Sequence, residues 1–284
     1  MSRVFAPLPR QIIDDAISRA LAEDLGLAGD ITTAATVPLD AQARAVIAAR
    51  KPGVISGLDV ASATFNAVDL KVTARLRKAD GDRVLAGDVV MELSGRARGI
   101  LTAERVALNF LGHMSGIATA TADIARSISH TSAKVCCTRK TTPGLRALEK
   151  YAVRCGGGVN HRFGLYDAVL IKDNHIAAAG GIMKAIKASR SAVGHMVKIE
   201  VEVDTLAQLQ DALTAGVDIV LLDNMTPEQL KEAVRLVNGR AVTEASGSIT
   251  KANALAIAES GVNLMSVGWI THSAPCLDLG LDFN

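Results

Sequence analysis

The chain has 284 residues and a formal net charge of +2, with acids and bases interspersed. A nucleic-acid binder would show a basic stripe or a run of Lys and Arg, and at 3 % aromatic content there is no stacking platform for single strands. Hydrophobic residues make up 49 % of the chain, enough for a large core, yet no apolar run reaches the roughly 18–20 residues that a membrane helix needs.

The opening stretch, MSRVFAPLPRQIIDDAISRA, meets acids early and lacks the apolar centre of a signal peptide, which predicts a cytoplasmic protein. Within PRQIIDDAISRALAEDLG, Ile12, Ile13, Ala16, Ile17, Ala20 and Leu21 fall on one helical stripe, stopped by Gly26 and Gly29. Asp14 and Asp15 take the solvated face. In KVTARLRK, Val72, Ala74 and Leu76 alternate with Thr73, Arg75 and Arg77, the pattern of a half-buried strand. GDRVLAGDVVMELSG repeats Gly-Asp before short apolar runs, which predicts tight turns between antiparallel strands. A lipoyl-type hammerhead would need a lysine at the turn tip between the repeats, and none is there. From Thr102 the spacing predicts a long helix that links two domains, with Thr102 as cap, Glu104 in the first turn and a break near Ser115-Gly116.

From residue 134 a rhythm begins. Strand-like runs at 134–138, 168–172, 197–203, 218–222, 241–244 and 263–267 alternate with helical patterns. Pro143 and Pro227 mark helix starts, and Gly216, Gly239 and Gly261 mark ends. Near-continuous apolar strands between helices predict a parallel sheet, and about six units fit a barrel or partial barrel. No Gly-x-Gly-x-x-Gly follows a strand and no phosphate-binding Walker sequence exists, so a dinucleotide or nucleotide fold is disfavoured. Gly156-Gly157-Gly158 reads as a helix stop. Cys136, Cys137, Cys155 and Cys276 contain no Cys-x-x-Cys and read as buried thiols rather than zinc ligands.

The strands end in polar or small residues: Thr138-Arg139-Lys140, Lys172-Asp173-Asn174-His175, Asp223-Asn224, Ser246-Gly247-Ser248 and Gly268. In β/α barrels those ends form the active face. Glu200, Glu202 and Asp204 share one face of their strand and would point inward, with Lys172 as the partner of a buried acid. Glu202 and Asp223 suit Mg²⁺, which takes carboxylates together with substrate phosphate. Arginines at strand ends suit carboxylates or phosphates. A helix starting at Pro143 would add free amides at the mouth, and Ser246-Gly247-Ser248 would do so for a phosphate. His113, His130 and His195 read as ordinary. Together the residues predict a pocket for a small, strongly anionic substrate.

The motifs TRKTTPGLR (138–146), EKYAVRCGGGVNHRFGLYDAVLIKDNH (149–175), EVEVDT (200–205), LLDN (221–224), EASGSIT (244–250) and SVGWITHS (266–273) resemble the quinolinate phosphoribosyltransferase family, as do GDITT (29–33) and ERVALNFLGHMSGIAT (104–119). The resemblance implies an α/β protein: an N-terminal open α/β sandwich, residues 1–115, joined by the C-terminal segment 272–284, and a C-terminal incomplete α/β barrel over 116–271. It implies a homodimer with active sites at the subunit interface, and a reaction of quinolinate with phosphoribosyl pyrophosphate and Mg²⁺ that gives nicotinate mononucleotide, pyrophosphate and carbon dioxide. By resemblance, Arg139, His161, Arg162 and Lys172 hold the quinolinate carboxylates, with Arg105 from the neighbouring subunit. Lys140, Glu202, Asp223, Ser246, Gly247, Ser248 and Gly268 surround the phosphoribosyl pyrophosphate and its metal. Thr138 and Lys172 line the floor, and Lys140, Glu202 and Asp223 are the catalytic candidates. Ser248 stands where the family often has glycine, and Trp269 where a small residue is common. Two other enzyme readings stand beside this one: a Schiff-base aldolase using Lys172, and a molybdenum-uptake-associated paralogue of the same fold. A binding protein without catalysis is the third alternative.

Overall fold

The computed structural model describes residues 6–283. The signal-peptide reading falls partly on residues 1–5, which lie outside the described residues. Two compact units form: the chain through Ala122 with Thr141–Gly157 and the chain from Ile270, and a second of Asp123–Lys140 with Gly158–Trp269.

In the first unit, α1 (Arg10–Leu25) buries Ile13, Ala16 and Ile17, and Gly26 closes it at φ 50°. Ile12 sits at the stripe's edge and is exposed, so the apolar face is narrower than its spacing predicts. The short α2 (Ile31–Thr36) is capped by Asp30, whose carboxylate accepts the Thr33 N–H at 2.9 Å. Then follow β1 (Gln42–Ala49), β2 (Gly53–Val54), α3 (Leu58–Val68), β3 (Thr73–Leu76), β4 (Arg83–Val84) and β5 (Val89–Arg96). The antiparallel sheet runs β12-β1-β5-β3, where β12 (Leu279–Phe283) is the chain's last strand. Ile47, Met91 and Leu93 on the sheet meet Leu58, Phe65, Ile100 and Leu111 in one core. In β3 only Ala74 is half-buried and Leu76 is exposed, because β3 is an edge strand. The turns expected at the two Gly-Asp pairs are present: Asp82 accepts the Ala79 N–H and Asp88 the Leu85 N–H. The strands after them do not pair with each other. β4 pairs with β2, and β5 with β1 and β3.

The long helix α4 (Ala97–Ser127) has 31 residues and starts before Thr102. Thr102 is no cap; its hydroxyl donates to Asp30 at 3.0 Å. The helix runs unbroken through Ser115-Gly116, contrary to the sequence expectation. Gly112 and Gly116 share a face, and the segment around Cys276 crosses directly over them. A Cβ on Gly116 would overlap the Pro275 carbonyl and lie 2.9 Å from the Cys276 Cα. The glycine therefore serves close approach, not a break. The boundary between the units, after Ala122, falls within α4. No described helix is long and apolar enough to cross a membrane. The helix expected from Pro143 begins three residues later, as α5 (Arg146–Cys155).

The second unit contains all six expected strands: β6 (Lys134–Cys136), β7 (Val169–Ile171), β8 (Ile199–Val203), β9 (Ile219–Asp223), β10 (Val242–Ser246) and β11 (Leu264–Ser266). They form one parallel sheet in the order β6-β11-β10-β9-β8-β7. No ladder joins β6 to β7 among the described residues, so the barrel is incomplete. Helices α6 (Asp173–Ala179), α7 (Ile182–Ala192), α8 (Leu206–Thr214), α9 (Pro227–Val237) and α10 (Ala254–Ala258) connect the strands, and the one-turn α11 (Trp269–His272) follows β11. Thr205 and Thr226 cap α8 and α9 through capping boxes with Gln208 and Gln229, and Pro227 opens α9. Helix α6, which the sequence left as polar strand end, starts directly after Lys172. Cys136, Cys137 and Cys155 are buried; Cys276 is exposed, which corrects the expectation that all four are buried.

An alanine in place of a helical glycine ordinarily stabilises by about 1 kcal/mol. Gly116→Ala is expected to reverse that sign, because overpacking against backbone costs about 1–3 kcal/mol and no rotamer relieves it. Thermal unfolding checks it; an unchanged or higher Tm refutes the close-approach explanation.

Candidate active site

Strand neighbours in a parallel sheet point their side chains the same way, so the pairing register sorts residues by face. Glu202 pairs with Leu221, Leu221 with Glu244, Glu244 with Leu264, and Ser266 with Cys136. Glu200, Glu202, Asp223, Glu244, Ser246 and Ser266 therefore share one face. Val201, Val203, Val220, Leu222, Ala245 and Met265, all buried, take the other, toward the helices.

The acids have partners. Lys172, expected from the sequence to pair with an acid of this strand, forms its ion pair with Glu202. His161 Nε2 stands 2.9 Å from Glu200 Oε2 and 3.7 Å from Glu244 Oε1. The Ser266 hydroxyl donates to Glu244. Glu200 and Glu244 are 4 % and 2 % exposed. Asp204 does not join them. It lies past the end of β8, exposed, with its N–H donated to Gln208.

The bases come from two loops. After β6, the Lys140 N–H donates to Thr138 Oγ1 at 3.0 Å, fixing the turn that carries half-buried Arg139 and exposed Lys140. Before β7, Asp167 accepts the Phe163 and Gly164 N–H groups at 2.7 and 2.9 Å, which braces the segment behind His161 and Arg162. Arg162 Nη1 donates to the Ala168 carbonyl at 3.0 Å, and its Nε is buried without a hydrogen-bond partner among the described residues. Burial, and next the neighbouring Arg139 charge, hold the Arg162 pKa below its ordinary value, with Glu200 and Asp167 opposing. Arginine remains protonated under any working condition. The amides expected from a helix starting at Pro143 are not supplied there, because α5 starts at Arg146 and its cap position is Leu145.

The opposite end of the face is built from the loops after β9, β10 and β11. Asp223 is half-buried and accepts from Asn224 Nδ2 at 2.6 Å. Asn224 has φ 53° and donates its N–H to Ser246 O at 2.9 Å. A Cβ on Gly247, at φ 102°, would overlap Asn224 Oδ1, so only glycine fits there. Ser248 holds φ 46°, a left-handed backbone that favours glycine. Two contacts brace it: Asn253 Nδ2 donates to the Ser248 carbonyl at 3.1 Å, and Trp269 Nε1 donates to the Ile249 carbonyl at 3.0 Å. Trp269 thus ties down the turn that holds the left-handed serine. Gly268 precedes it, directly after Val267 at the end of β11.

Thr138, Arg139, Lys140, His161, Arg162, Lys172, Glu202, Asp223, Ser246, Gly247, Ser248 and Gly268 all belong to the second unit. Arg105 belongs to the first, on α4, with its side chain 65 % exposed. His113 pairs with buried Glu149 in the first unit, and His130 with Glu259 at the surface. Glu244 and Ser266 were not singled out from the sequence. Alternation along VTEAS, which puts Glu244 on the same face as Ser246, carried the signal for Glu244.

Residues 30–115 match the family model described as quinolinate phosphoribosyl transferase, N-terminal domain, and residues 117–282 match the corresponding C-terminal domain. The chain is 46 % identical over 260 residues to a probable nicotinate-nucleotide pyrophosphorylase (carboxylating) of Bacillus subtilis, covering 92 % of this chain and 89 % of that protein. It is 46 % identical over 275 residues to the Mycobacterium leprae nicotinate-nucleotide pyrophosphorylase (carboxylating), covering 94 % and 96 %. The solved structure of the nicotinate-nucleotide pyrophosphorylase from Francisella tularensis superposes with a TM-score of 0.94 at 41 % identity over 98 % of each chain.

Ser248→Gly is expected to raise stability by about 1 kcal/mol, the cost of a left-handed non-glycine residue. Ser248→Ala, which keeps the strain, is not. Equal melting temperatures for the two variants would remove the strain argument.

Proposed function

The chain belongs to the quinolinate phosphoribosyltransferase family, and from that premise we propose that its second unit holds quinolinate among Arg139, Arg162 and Lys172, and phosphoribosyl pyrophosphate among Lys140, Glu202, Asp223 and the 246–248 turn. The enzyme transfers phosphoribosyl to quinolinate with decarboxylation, giving nicotinate mononucleotide, pyrophosphate and carbon dioxide in NAD biosynthesis. One observation carries the site reading: guanidinium and ammonium groups from separate loops meet at the same strand ends as Glu202 and Asp223.

Quinolinate is a dianion, and planar guanidinium forks match its carboxylates. Thr138 lines the floor, and His161 belongs to the same end. The 246–248 turn, without a side chain at Gly247, lets a phosphate approach its amides, with Gly268 alongside. Attack by the ring nitrogen on the ribosyl carbon expels pyrophosphate and leaves oxocarbenium character, which Glu202 and Asp223 stabilise from the carboxylate side. Loss of carbon dioxide follows, its electrons taken up by the pyridinium ring. Glu202 and Asp223 are hard oxygen donors on neighbouring strands and one face, a set that fits Mg²⁺ together with substrate phosphate oxygens. Bound there, the ion would neutralise the leaving pyrophosphate. A Schiff-base lysine needs a free amine, whereas Lys172 is held as a charge against Glu202.

Arg105, exposed on α4, completes the dicarboxylate clamp from a second copy in a homodimer. We place the enzyme in the cytoplasm, where its free thiols persist reduced.

Carbon dioxide release from quinolinate should require phosphoribosyl pyrophosphate; release without it would sink the reading. Arg139→Ala and Arg162→Ala should each lower kcat/KM for quinolinate by about 2–5 kcal/mol, mainly through KM. Wild-type kinetics in both would remove the cluster from the mechanism. At quinolinate well below the variants' KM, where Arg105→Ala and Arg162→Ala are each nearly silent, mixing the two after subunit exchange should restore about a quarter of wild-type activity, since half the dimers then carry one intact site. No recovery, with exchange demonstrated, would place Arg105 outside the partner's site.

A further inference from the structure

Beneath the cations lies a buried group that the substrate reading leaves without a role: Glu200, with Glu244 beside it. The hydrogen bonds around His161 say what the pair does. The Arg162 amide nitrogen stands 2.7 Å from His161 Nδ1 and has only a proton to give. Nδ1 is therefore the lone-pair nitrogen, and Nε2 carries the ring proton. That proton is directed at Glu200 Oε2, 2.9 Å away, with Glu244 Oε1 at 3.7 Å.

His161, Glu200 and Glu244 bring their ligand atoms within 4.8 Å of one another, the composition of a metal site. The tautomer argues against one. A metal-bound imidazole turns a lone pair toward the ion and donates its other N–H outward. Here the proton faces the carboxylates, and the lone pair is used by an amide. The group is a hydrogen-bonded anchor.

Both ring nitrogens of His161 are thus engaged within the protein, one on the floor of the face and one on the backbone of Arg162. Arg162 needs such a hold. Its guanidinium has a single hydrogen bond to the loop, at Ala168, and its Nε has none among the described residues. Glu200 Oε1 is likewise buried without a hydrogen-bond partner, so the carboxylate is kept in place by His161 and by the nearby guanidinium charge.

We propose that Glu200 is a positioning residue for quinolinate. It holds His161 as the Nε2–H tautomer, His161 Nδ1 holds the Arg162 amide, and the guanidinium of Arg162 is thereby set for the substrate carboxylate. His161 serves the substrate through Arg162. This rests on the reading of Arg162 as a quinolinate ligand and deepens it.

The test combines ¹⁵N NMR of the imidazole-labelled, substrate-free enzyme with steady-state kinetics. Wild type should show a pyridine-like Nδ1 and a pyrrole-like Nε2 for His161. Glu200→Ala should lose that pattern and raise the quinolinate KM by about tenfold or more, as one broken buried hydrogen bond predicts, with the phosphoribosyl pyrophosphate KM unchanged. Glu200→Gln keeps an acceptor oxygen and should restore both. An Nδ1–H tautomer or an imidazolium in the wild type overturns the proposal even where Glu200→Ala does not fold. So does an unchanged quinolinate KM in Glu200→Ala, or a Gln variant no better than Ala. If Arg162→Ala keeps the wild-type quinolinate KM while the tautomer is as stated, the substrate reading of Arg162 has failed and the anchor geometry has not.

Discussion

Glu200, Glu202 and Glu244 point to the inner face of one parallel sheet, and the site at its C-terminal end follows from how those charges are compensated. A carboxylate left unpaired there would cost several kcal/mol or give up its charge. Each acid instead has its own partner: Lys172 for Glu202, His161 for Glu200, Ser266 for Glu244. The dependence also runs the other way. Arg139 and Arg162 repel each other, and the Glu200 charge opposes that repulsion. The interior acids therefore offset the charge of the bases beside them. For the substrate site proposed above this would be preorganisation, placing specificity in geometry rather than in net charge, which is only +2 for the whole chain.

The sheet spaces those acids along its inner face, and His161 stands between the two whose oxygens still come within 4.8 Å of each other, Glu200 and Glu244. By register, β9 runs between β8 and β10, and Leu221 stands laterally between Glu202 and Glu244, as Ile219 stands beside Glu200. No acid of β8 is a lateral neighbour of an acid of β10, so like charges do not face each other across a ladder. The apolar residues of β9 act as spacers, and only at its last residue, Asp223, does the strand itself become acidic. Position along the strands thus separates the acids that anchor protein groups from the carboxylates at the rim, nearest the loops.

Much of this was legible from the chain. The six barrel strands stand out because buried parallel strands are continuous apolar runs, and their polar ends mark the active face without any knowledge of the ligand. That Lys172 pairs with an inward acid of β8 followed from alternation and the cost of a buried acid, and the structure names Glu202 as that acid. What escaped the sequence depends on contacts between distant segments. Gly116 looks like a helix break until Pro275 and Cys276 are seen to cross it. Thr102 has the residue type of a cap for the long helix, yet it lies inside α4 and its hydroxyl donates to Asp30, the cap of α2. Pro143 has the residue type of a helix start, but the chain makes a turn before Arg146 first. The orientation of His161 was out of reach for another reason. Residue type names a base, and only the position of the Arg162 amide says which nitrogen holds the proton.

The two departures from the pattern expected by resemblance, Ser248 for a glycine and Trp269 for a small residue, are parts of one solution. A left-handed serine is held only if its surroundings determine the backbone more strongly than its own preference does. The Trp269 indole and the Asn253 amide supply that determination from both sides of Ile249. Strain in the 246–248 turn and unsatisfied polar atoms at Glu200 and Arg162 are features that stability alone would remove, since apolar side chains of similar volume often pack as well or better. Their concentration on the inner face and in the loops that follow or precede its strands, while the helix-facing side of the same strands is uniformly apolar and buried, divides the barrel into a half that holds the fold together and a half that is held by it.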